Sequence, residues 1–333
     1  MASDPNERPA FDPQIQSEDI AYEPDELVTC GGCGRTNPPN RLHCLYCAHQ
    51  LEIAPELAGS AALNLRKLEP WERGFNLVLR NPRAAADAVK VAALLSTEAA
   101  SIEAILDAGV PLPVARVESE RDAAFLQTKL DQMGVNCSVL ADADLAADKP
   151  PARLSGIDFG DGRLGLRDFN TGEVTEIEGG DLVLIVDGLL TRSQVDSLEK
   201  KRRRGKENKV IEESATSADE AVLDLYARND PAGFRVHLTG FDFSCLGAQK
   251  GMLASENMQR LTGLLVARAP TAKFVDTYDS VRQALGDVWE VESRKDSQGL
   301  LRVGFGKREF GTVASTSNLN QFTKYSRLQW HLL

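Results

Sequence analysis

Cys30-Gly-Gly-Cys33 and Cys44-Leu-Tyr-Cys47, separated by ten residues that include Pro38 and Pro39, decide what the N-terminal part of this chain can fold into. Each Cys-x2-Cys pair puts two thiols on one tight turn, and two such turns meeting face to face offer four sulfurs to a single ion. Thiolates are strong ligands for Zn²⁺, and four of them close a tetrahedral structural site with no position open for catalysis. The residues after the first pair, Gly34-Arg-Thr-Asn-Pro-Pro39, are turn chemistry, since Asn tolerates unusual backbone angles and Pro fixes φ. Residues 28–51 are too few and too polar to bury a core, so an ion must supply much of their stability. The ligand set read from the spacing is Cys30, Cys33, Cys44 and Cys47 around one structural Zn²⁺. His43 adjoins Cys44 and is left out of that set, as is His49. A redox dithiol and a disulfide framework are the alternatives. The redox reading lacks the βαβ unit that normally carries a Cys-x2-Cys at a helix start.

Cys30, Cys33, Gly34, Asn37, Pro38, Cys44 and Cys47 match the pattern Cys-x2-Cys-Gly-x2-Asn-Pro followed by Cys-x2-Cys, and over residues 28–51 the segment resembles short bacterial zinc ribbons. Its spacing is also similar to that of Ran-binding-protein-type zinc fingers, whose RNA-reading members use aromatic and Arg side chains on the finger. That family has a Trp before its first Cys, where this chain has Val28 and Thr29.

The chain has 333 residues, enough for two or three domains with real cores. Its 42% hydrophobic and 26% charged residues describe an ordinary globular protein, and no apolar run is long enough to be a transmembrane segment. The start, Met-Ala-Ser-Asp-Pro-Asn-Glu, has neither a basic stretch nor an apolar one, so it does not read as a secretory signal. With four of six cysteines assigned to the ribbon, Cys137 and Cys245 are left unpaired, a usage that suits a reducing, cytoplasmic location. The net charge of −11 opposes general nucleic-acid binding.

Residues 1–27 carry eight acidic residues against Arg8 alone and are broken by Pro5, Pro9, Pro13 and Pro24, which reads as an acidic disordered leader. The ribbon follows, then a linker over 52–72. From residue 73 the pattern becomes regular: a strand at Phe75–Leu79, helices over Ala84–Ser96 and from Thr97, a strand at Leu112–Val117, a helix opened by Ser119 and closed by Gly134, and a strand from Val135 to Val139. The order β-α-α-β-α-β is a small sheet with helices on one face. The stretch Val114 to Phe125, continued through Leu130-Asp-Gln-Met-Gly134-Val, resembles the C-terminal domain of the ribosomal stalk protein over residues 73–142, a fold shared with the Clp protease adaptor. The sites of those families do not carry over. Ser96-Thr-Glu-Ala-Ala-Ser101 replaces the stalk's Gly-rich turn and Lys, and Asn81 is followed by Pro82 where the adaptor needs an Asn-Asp pair.

A hinge is expected near Asp148-Lys-Pro-Pro151. Beyond it, residues 152–290 form a β-rich domain with strands at Leu154–Phe159, Arg163–Phe169, Glu173–Glu178, Leu182–Leu190, Val222–Tyr226 and Phe234–Leu238. Helices follow over Ala254–Ala267 and Tyr278–Val288. An antiparallel meander closed by one helix resembles pleckstrin-homology-like domains. Residues 291–333 read as a Gly/Ser/Thr-rich tail with a late strand, because Leu328, Trp330 and Leu332 alternate with polar residues. The fold class is therefore multidomain α+β.

Lys200, Lys201, Arg202, Arg203 and Arg204, with Lys206 and Lys209, are the strongest basic run, suited to phosphate on RNA or on lipid headgroups but without interleaved aromatics for base stacking. The ordinary reading of such a run is a solvated loop. Leu182-Val-Leu-Ile-Val186-Asp187 lacks any accompanying phosphate loop and reads as a core strand, and Gly304-Phe-Gly-Lys307 reads as a turn. No paired-carboxylate, triad or open metal site stands out; Asp242, Ser244, Cys245 and His237 are the nearest to one. The expected function is that of a non-enzymatic adaptor or regulatory protein whose ribbon docks a protein partner. RNA association and membrane-surface binding are the alternatives.

Overall fold

The structure, a computed structural model, describes residues 22, 27–39, 41–52, 66–80, 87–200, 209–304 and 307–333. The chain divides into two compact units, residues 1–65 and 66–333, and among the described residues it is a mixed α+β protein. The expected acidic leader lies outside the described residues except for Tyr22 and Leu27, as do linker residues 53–65.

The first unit consists of two small hairpins. Strands β1 (Val28–Thr29) and β2 (Thr36–Asn37) pair antiparallel around the first Cys-x2-Cys. A bridge between His43 and Gln50, with Leu51 N–H donating to the Leu42 carbonyl at 2.9 Å, frames the second. The buried cluster is Val28, Cys30, Cys44 and Leu51. Two of these four residues are candidate metal ligands, so apolar burial alone provides little stability.

The second unit begins at residues 66–72, expected as linker. Arg66 pairs with Glu72 at 2.9 Å and Glu118 at 3.2 Å, and Arg116 donates to the Glu69 and Glu72 carbonyls. These residues are thus tied to the sheet that follows. That sheet has the order β4 (Pro113–Val117), β3 (Phe75–Leu79), β5 (Cys137–Ala141), all antiparallel. Helices α1 (Ala88–Leu95), α2 (Ala99–Asp107) and α3 (Glu120–Gln132) intervene in the expected order. The caps are the ones the residues call for. The Asp87 side chain accepts from Lys90 N–H at 3.3 Å, and Ser119 from Asp122 N–H at 3.1 Å.

The expected hinge is no break in the structure. A short helix α4 (Asp142–Leu145) leads into 146–151, where buried Arg327 donates to the carbonyls of Leu145, Ala146, Lys149 and Ala232. Trp289, 2% exposed, donates its indole N–H to Asn76 Oδ1 at 2.8 Å and so joins residues 213 positions apart.

The large sheet has the strand order β13-β14-β9-β10-β11-β6-β7-β8, formed by β6 (Ala152–Phe159), β7 (Arg163–Asp168), β8 (Val174–Glu178), β9 (Leu182–Lys200), β10 (Lys209–Ala227), β11 (Phe234–His237), β13 (Glu292–Gly304) and β14 (Lys307–Ser317), with β12 (Lys273–Val275) also paired to β9. It is mixed, which corrects the antiparallel pleckstrin-like expectation: β11 runs parallel to β6, and β12 parallel to β9. The reason is local. Only residues 179–181 separate β8 from β9, a link that reaches about 14 Å at most. Across a flat sheet those two strands would stand roughly 24 Å apart. The strands from β9 to β8 therefore curl until their edges approach, and β11, paired on one side with β10, closes on the other against β6. The cluster of Leu154, Ile157, Leu164, Leu166, Leu223, Leu225 and Val236 fills one face of this curl and packs against Met258, Leu261 and Leu265 of α5 (Ala254–Arg268).

The opposite face is covered by α6 (Tyr278–Leu285) and α7 (Leu319–His331). This overturns the late strand expected at Leu328–Leu332: Trp330 lies in a helix, and residues 292–304 and 307–317, expected as tail, are two strands of the sheet. Helix α7 is buried nearly all round, including Gln321, Thr323, Ser326, Arg327 and Gln329, so its polar residues disguised a core helix as a surface strand. Tyr278 packs edge-on to Phe322 with ring centres 5.0 Å apart, and Tyr226 shares a 2.9 Å hydrogen bond with Ser326. Gly188 makes the approach feasible, because a Cβ there would stand 2.4 Å from the Phe322 ring. Beneath α7, Arg235 forks onto Asp224 at 2.6 and 2.7 Å and reaches Thr323 at 3.1 Å. Burial alone would pull the Arg235 pKa down, yet Asp224 holds it above its ordinary value.

Leu182, Leu184, Ile185 and Val186 of β9 are all fully buried because both faces of the strand are covered, as the continuous apolar run suggests. Asp187 ends the run. Burial, reinforced by Asp279 and Asp276, pushes its carboxyl up to about 6. An unfolded aspartate titrates near 3.9, so the folded state alone keeps the proton between these values, and that stabilisation is lost as pH rises through about 6. Asp187→Asn is expected to add about 1 kcal/mol at pH 7, after discounting for partial exposure, and to change little at pH 4. Denaturant unfolding at the two pH values measures both.

Candidate metal centre

The two Cys-x2-Cys turns have the same backbone construction. In the first, Cys30 N–H donates to the Arg35 carbonyl at 2.9 Å and Gly34 N–H to the Cys30 carbonyl at 2.8 Å. In the second, Cys44 N–H donates to the His49 carbonyl at 2.7 Å and Ala48 N–H to the Cys44 carbonyl at 3.0 Å. Gly34 and Ala48 are equivalent and both left-handed, with φ of 71° and 56°. Ala at such a position costs about 1 kcal/mol that Gly avoids. Ala48→Gly should accordingly tighten metal retention roughly fivefold in a chelator competition, and Gly34→Ala should weaken it by a similar factor.

The construction aims all four sulfurs inward. The Sγ atoms of Cys30, Cys33, Cys44 and Cys47 lie within 4.8 Å of one another, with Cys30–Cys47 and Cys33–Cys44 each at 3.6 Å. A tetrahedron with metal–sulfur bonds of about 2.3 Å has edges of about 3.8 Å, close to these separations. All four thiols are free, so the disulfide framework is not formed. His43 and His49 are not among the clustered ligand atoms, and the His49 ring packs 2.8 Å from the Cβ position of Gly32.

The electrostatics of the four thiols show why the cluster calls for a cation. Burial raises the Cys44 thiol, but N–H donors from Tyr46, Cys47 and Asn37, with Cys33, outweigh it and bring the pKa down to about 6. Cys47 receives a lowering backbone N–H from His49, yet burial and its neighbours Cys33, Cys30 and Cys44 push it up to about 12. Four sulfurs this close cannot all ionise unless a positive charge sits among them. The set is also closed, leaving no position for a substrate.

Asn37 contributes more than the turn its type suggested. Fully buried, it donates to the Arg35 carbonyl at 3.0 Å and to Cys44 Sγ at 3.4 Å, and accepts from Leu45 N–H at 2.9 Å. One amide thereby links the two turns and orients a ligand. Arg35 lies over the Tyr46 ring at 4.5 Å and ties the turns again on the outside. Leu45 and Tyr46, between the ligands Cys44 and Cys47, are 52% and 56% exposed. Nothing in the spacing of the cysteines singled out these side chains.

The other residues singled out in the sequence belong to the second unit or lie outside the described residues. Lys200 ends β9 and pairs in register with Lys209, while Lys201, Arg202, Arg203, Arg204 and Lys206 lie outside. In Gly304-Phe-Gly-Lys307, Phe305 and Gly306 also lie outside. Ser244 Oγ donates to Asp242 at 2.7 Å as part of a capped 3-10 turn, and this bond and the Ser244 N–H hold the Asp242 carboxyl below its usual range. His237 pairs instead with Glu220 at 3.4 Å, and burial lowers its pKa. Burial raises the Cys245 thiol. Ser244 with Asp242, and His237 with Glu220, thus have local structural partners. No family model, curated protein or solved structure matches this chain.

Proposed function

We propose that this protein is a non-enzymatic, zinc-binding adaptor whose four-cysteine unit presents Leu45 and Tyr46 to an apolar pocket on a protein partner. The carrying observation is the exposure of these two large side chains between two ligands of one metal centre. Exposed apolar pairs ordinarily lose affinity to the entropy of ordering them. Here Cys44 and Cys47 would both be bonded to the ion, and Asn37 already holds the Leu45 N–H, so the backbone is fixed before a partner arrives. Tyr and Leu anchored in this way supply much of the contact energy of small docking modules.

The test is a paired capture experiment with the intact, zinc-loaded chain and the double variant Leu45→Ala/Tyr46→Ala. The variant should keep about one zinc per chain, since neither residue is a ligand, and should lose the proteins the wild type retains at physiological salt. An identical set of proteins on both would remove the proposal. Capture of RNA instead, with affinity falling steeply as salt rises, would assign the Arg35–Tyr46 stack to nucleic acid.

A further inference from the structure

An open cleft of about 880 Å³ lies within the larger unit, walled by parts of residues 70–73 and 142–148, of β9, β13 and β14, and of α7. That volume falls in the roughly 300–1,000 Å³ range of small-molecule sites. One wall follows from strand register. Arg192 of β9, Ser317 of β14 and Glu292 of β13 stand directly opposite one another in one row, and Gln194, Ser315 and Arg294 in another. Residues opposite across strands, and residues two apart along a strand, share a face, so these six side chains belong to one polar face of the sheet. Asn320 Nδ2 donates to Glu292 Oε1 and sets the first turn of α7 against that face. Lys324 lies four residues on, on the same side of α7, and its side chain is only 14% exposed where it lines the cleft.

The cleft holds cations that the protein itself does not satisfy. Lys324 Nζ stands 3.8 Å from Asp142 Oδ1, longer than a hydrogen bond. Asp142 is already engaged: it accepts from Gly74 N–H at 2.9 Å and from Asn76 at 3.0 Å, and pairs with Arg116 at 2.7 Å. Burial pulls the Lys324 pKa below its ordinary value and Asp142 opposes this, so an anion beside the ammonium would restore its charged form. Arg73 and Arg192 are exposed and make no ion pair among the described residues. Of the acids in the walls, Glu72 is neutralised by Arg66 and Asp142 by Arg116, while Asp296 takes Arg294. What remains is Arg73, Arg192 and Lys324 against Glu292 and Asp148, a local positive excess in a chain of net charge −11. Trp71 lines the same cleft and is 79% exposed, whereas Trp289 is 2% exposed.

We propose that this cleft binds a nucleoside phosphate, with Lys324, Arg192 and Arg73 meeting the phosphate oxygens and Trp71 stacking on the base. Guanidinium and ammonium groups form charge-assisted hydrogen bonds to phosphate, and the hydroxyls of Ser315 and Ser317 lie in the same rows as Arg192 and Arg294. A base stacks on an aromatic face whatever its identity, which gives the exposed Trp71 a partner. Inorganic phosphate would use the cations and leave Trp71 bare. The chain has no phosphate loop, so side chains take the place of a backbone cradle.

The test is titration of the full, zinc-loaded chain with ADP, read by equilibrium dialysis and by tryptophan fluorescence. Four thiolates leave zinc no open position, so the metal centre would not compete for the nucleotide. Saturable binding is expected, with quenching of the fluorescence. Trp71→Ala should remove the quenching and weaken ADP about tenfold. Arg73→Gln/Arg192→Gln should weaken ADP about thirtyfold. Neither arginine has an ion-pair partner among the described residues, so the melting temperature of this variant should hold and lost binding cannot be mistaken for lost fold. Inorganic phosphate should bind at least about tenfold more weakly than ADP and be indifferent to Trp71→Ala. Absence of saturable binding up to about 5 mM ADP would overturn the proposal, because that is weaker than the millimolar limit of useful affinity. Unchanged ADP affinity in the double arginine variant, or phosphate binding as tightly as ADP, would overturn it as well.

Discussion

Cys44→Ser will abolish stoichiometric metal binding and unfold residues 28–51 while the thermal transition of residues 66–333 stays where it was. The wild-type chain should carry about one zinc by elemental analysis, and the variant none. The effect is large because the ion stands in for a core. Of the four residues in this unit's buried apolar cluster, two are candidate cysteine ligands, and apparent binding free energies of structural zinc in comparable small domains are roughly 10–16 kcal/mol. The substitution also puts a shorter-reaching hydroxyl in place of the Sγ that accepts from the Asn37 amide and the Tyr46 N–H, both at 3.4 Å, so the link between the two turns weakens as the ion is lost. Limited proteolysis should cut within 28–51 in the variant and in chelator-treated wild type at the same positions. Intact four-cysteine segments in metal-free protein would contradict this account.

The second large effect lies beneath α7. Arg235→Met is expected to destabilise the 66–333 unit by about 3–5 kcal/mol, because it leaves Asp224, with no exposure, as a buried charge without its partner. At roughly 2–4 °C per kcal/mol for a unit of this size, the melting temperature should fall by about 10 °C. The double variant Asp224→Leu/Arg235→Met should recover most of that loss, since an ion pair replaced as a whole by apolar groups is often neutral or stabilising. Calorimetry on the two variants separates the alternatives. A double variant as unstable as the single one would mean that Arg235 acts chiefly through its bond to Thr323 and its stacking on Phe322.

How much of this was readable from residue order depends on whether the signal was local. The clustering of the four cysteines was readable because two Cys-x2-Cys turns encode their own geometry, down to the matching hydrogen bonds at Gly34 and Ala48. The β-α-α-β-α-β order was readable because Ser119 caps α3 and the apolar faces of the helices repeat at helical spacing. The second half was less so, because its elements are defined by partners far away. Strand β9 was expected to stop at Leu190. It runs on through Thr191–Lys200, mostly polar residues with no alternation, because β14 and β10 complete its hydrogen bonds on both sides. Leu328, Trp330 and Leu332 mimic a two-residue period, but the helix that contains the first two is set by Tyr325 and Phe322 packing on Tyr278. The exposed pair Leu45 and Tyr46 was silent for another reason: exposure is a property of the folded unit and leaves no mark on spacing.

Helix α7 also governs when the larger unit can form during synthesis. Phe322, Tyr325, Arg327 and Leu328 fill space against elements as early as Tyr226 and Leu145, so a nascent chain holding everything up to residue 318 would still lack one wall of its interior. Until Leu328 has cleared the ribosome exit tunnel, β9 and β10 must wait with that face bare, and it is in this interval that chaperones would find the protein most in need of them.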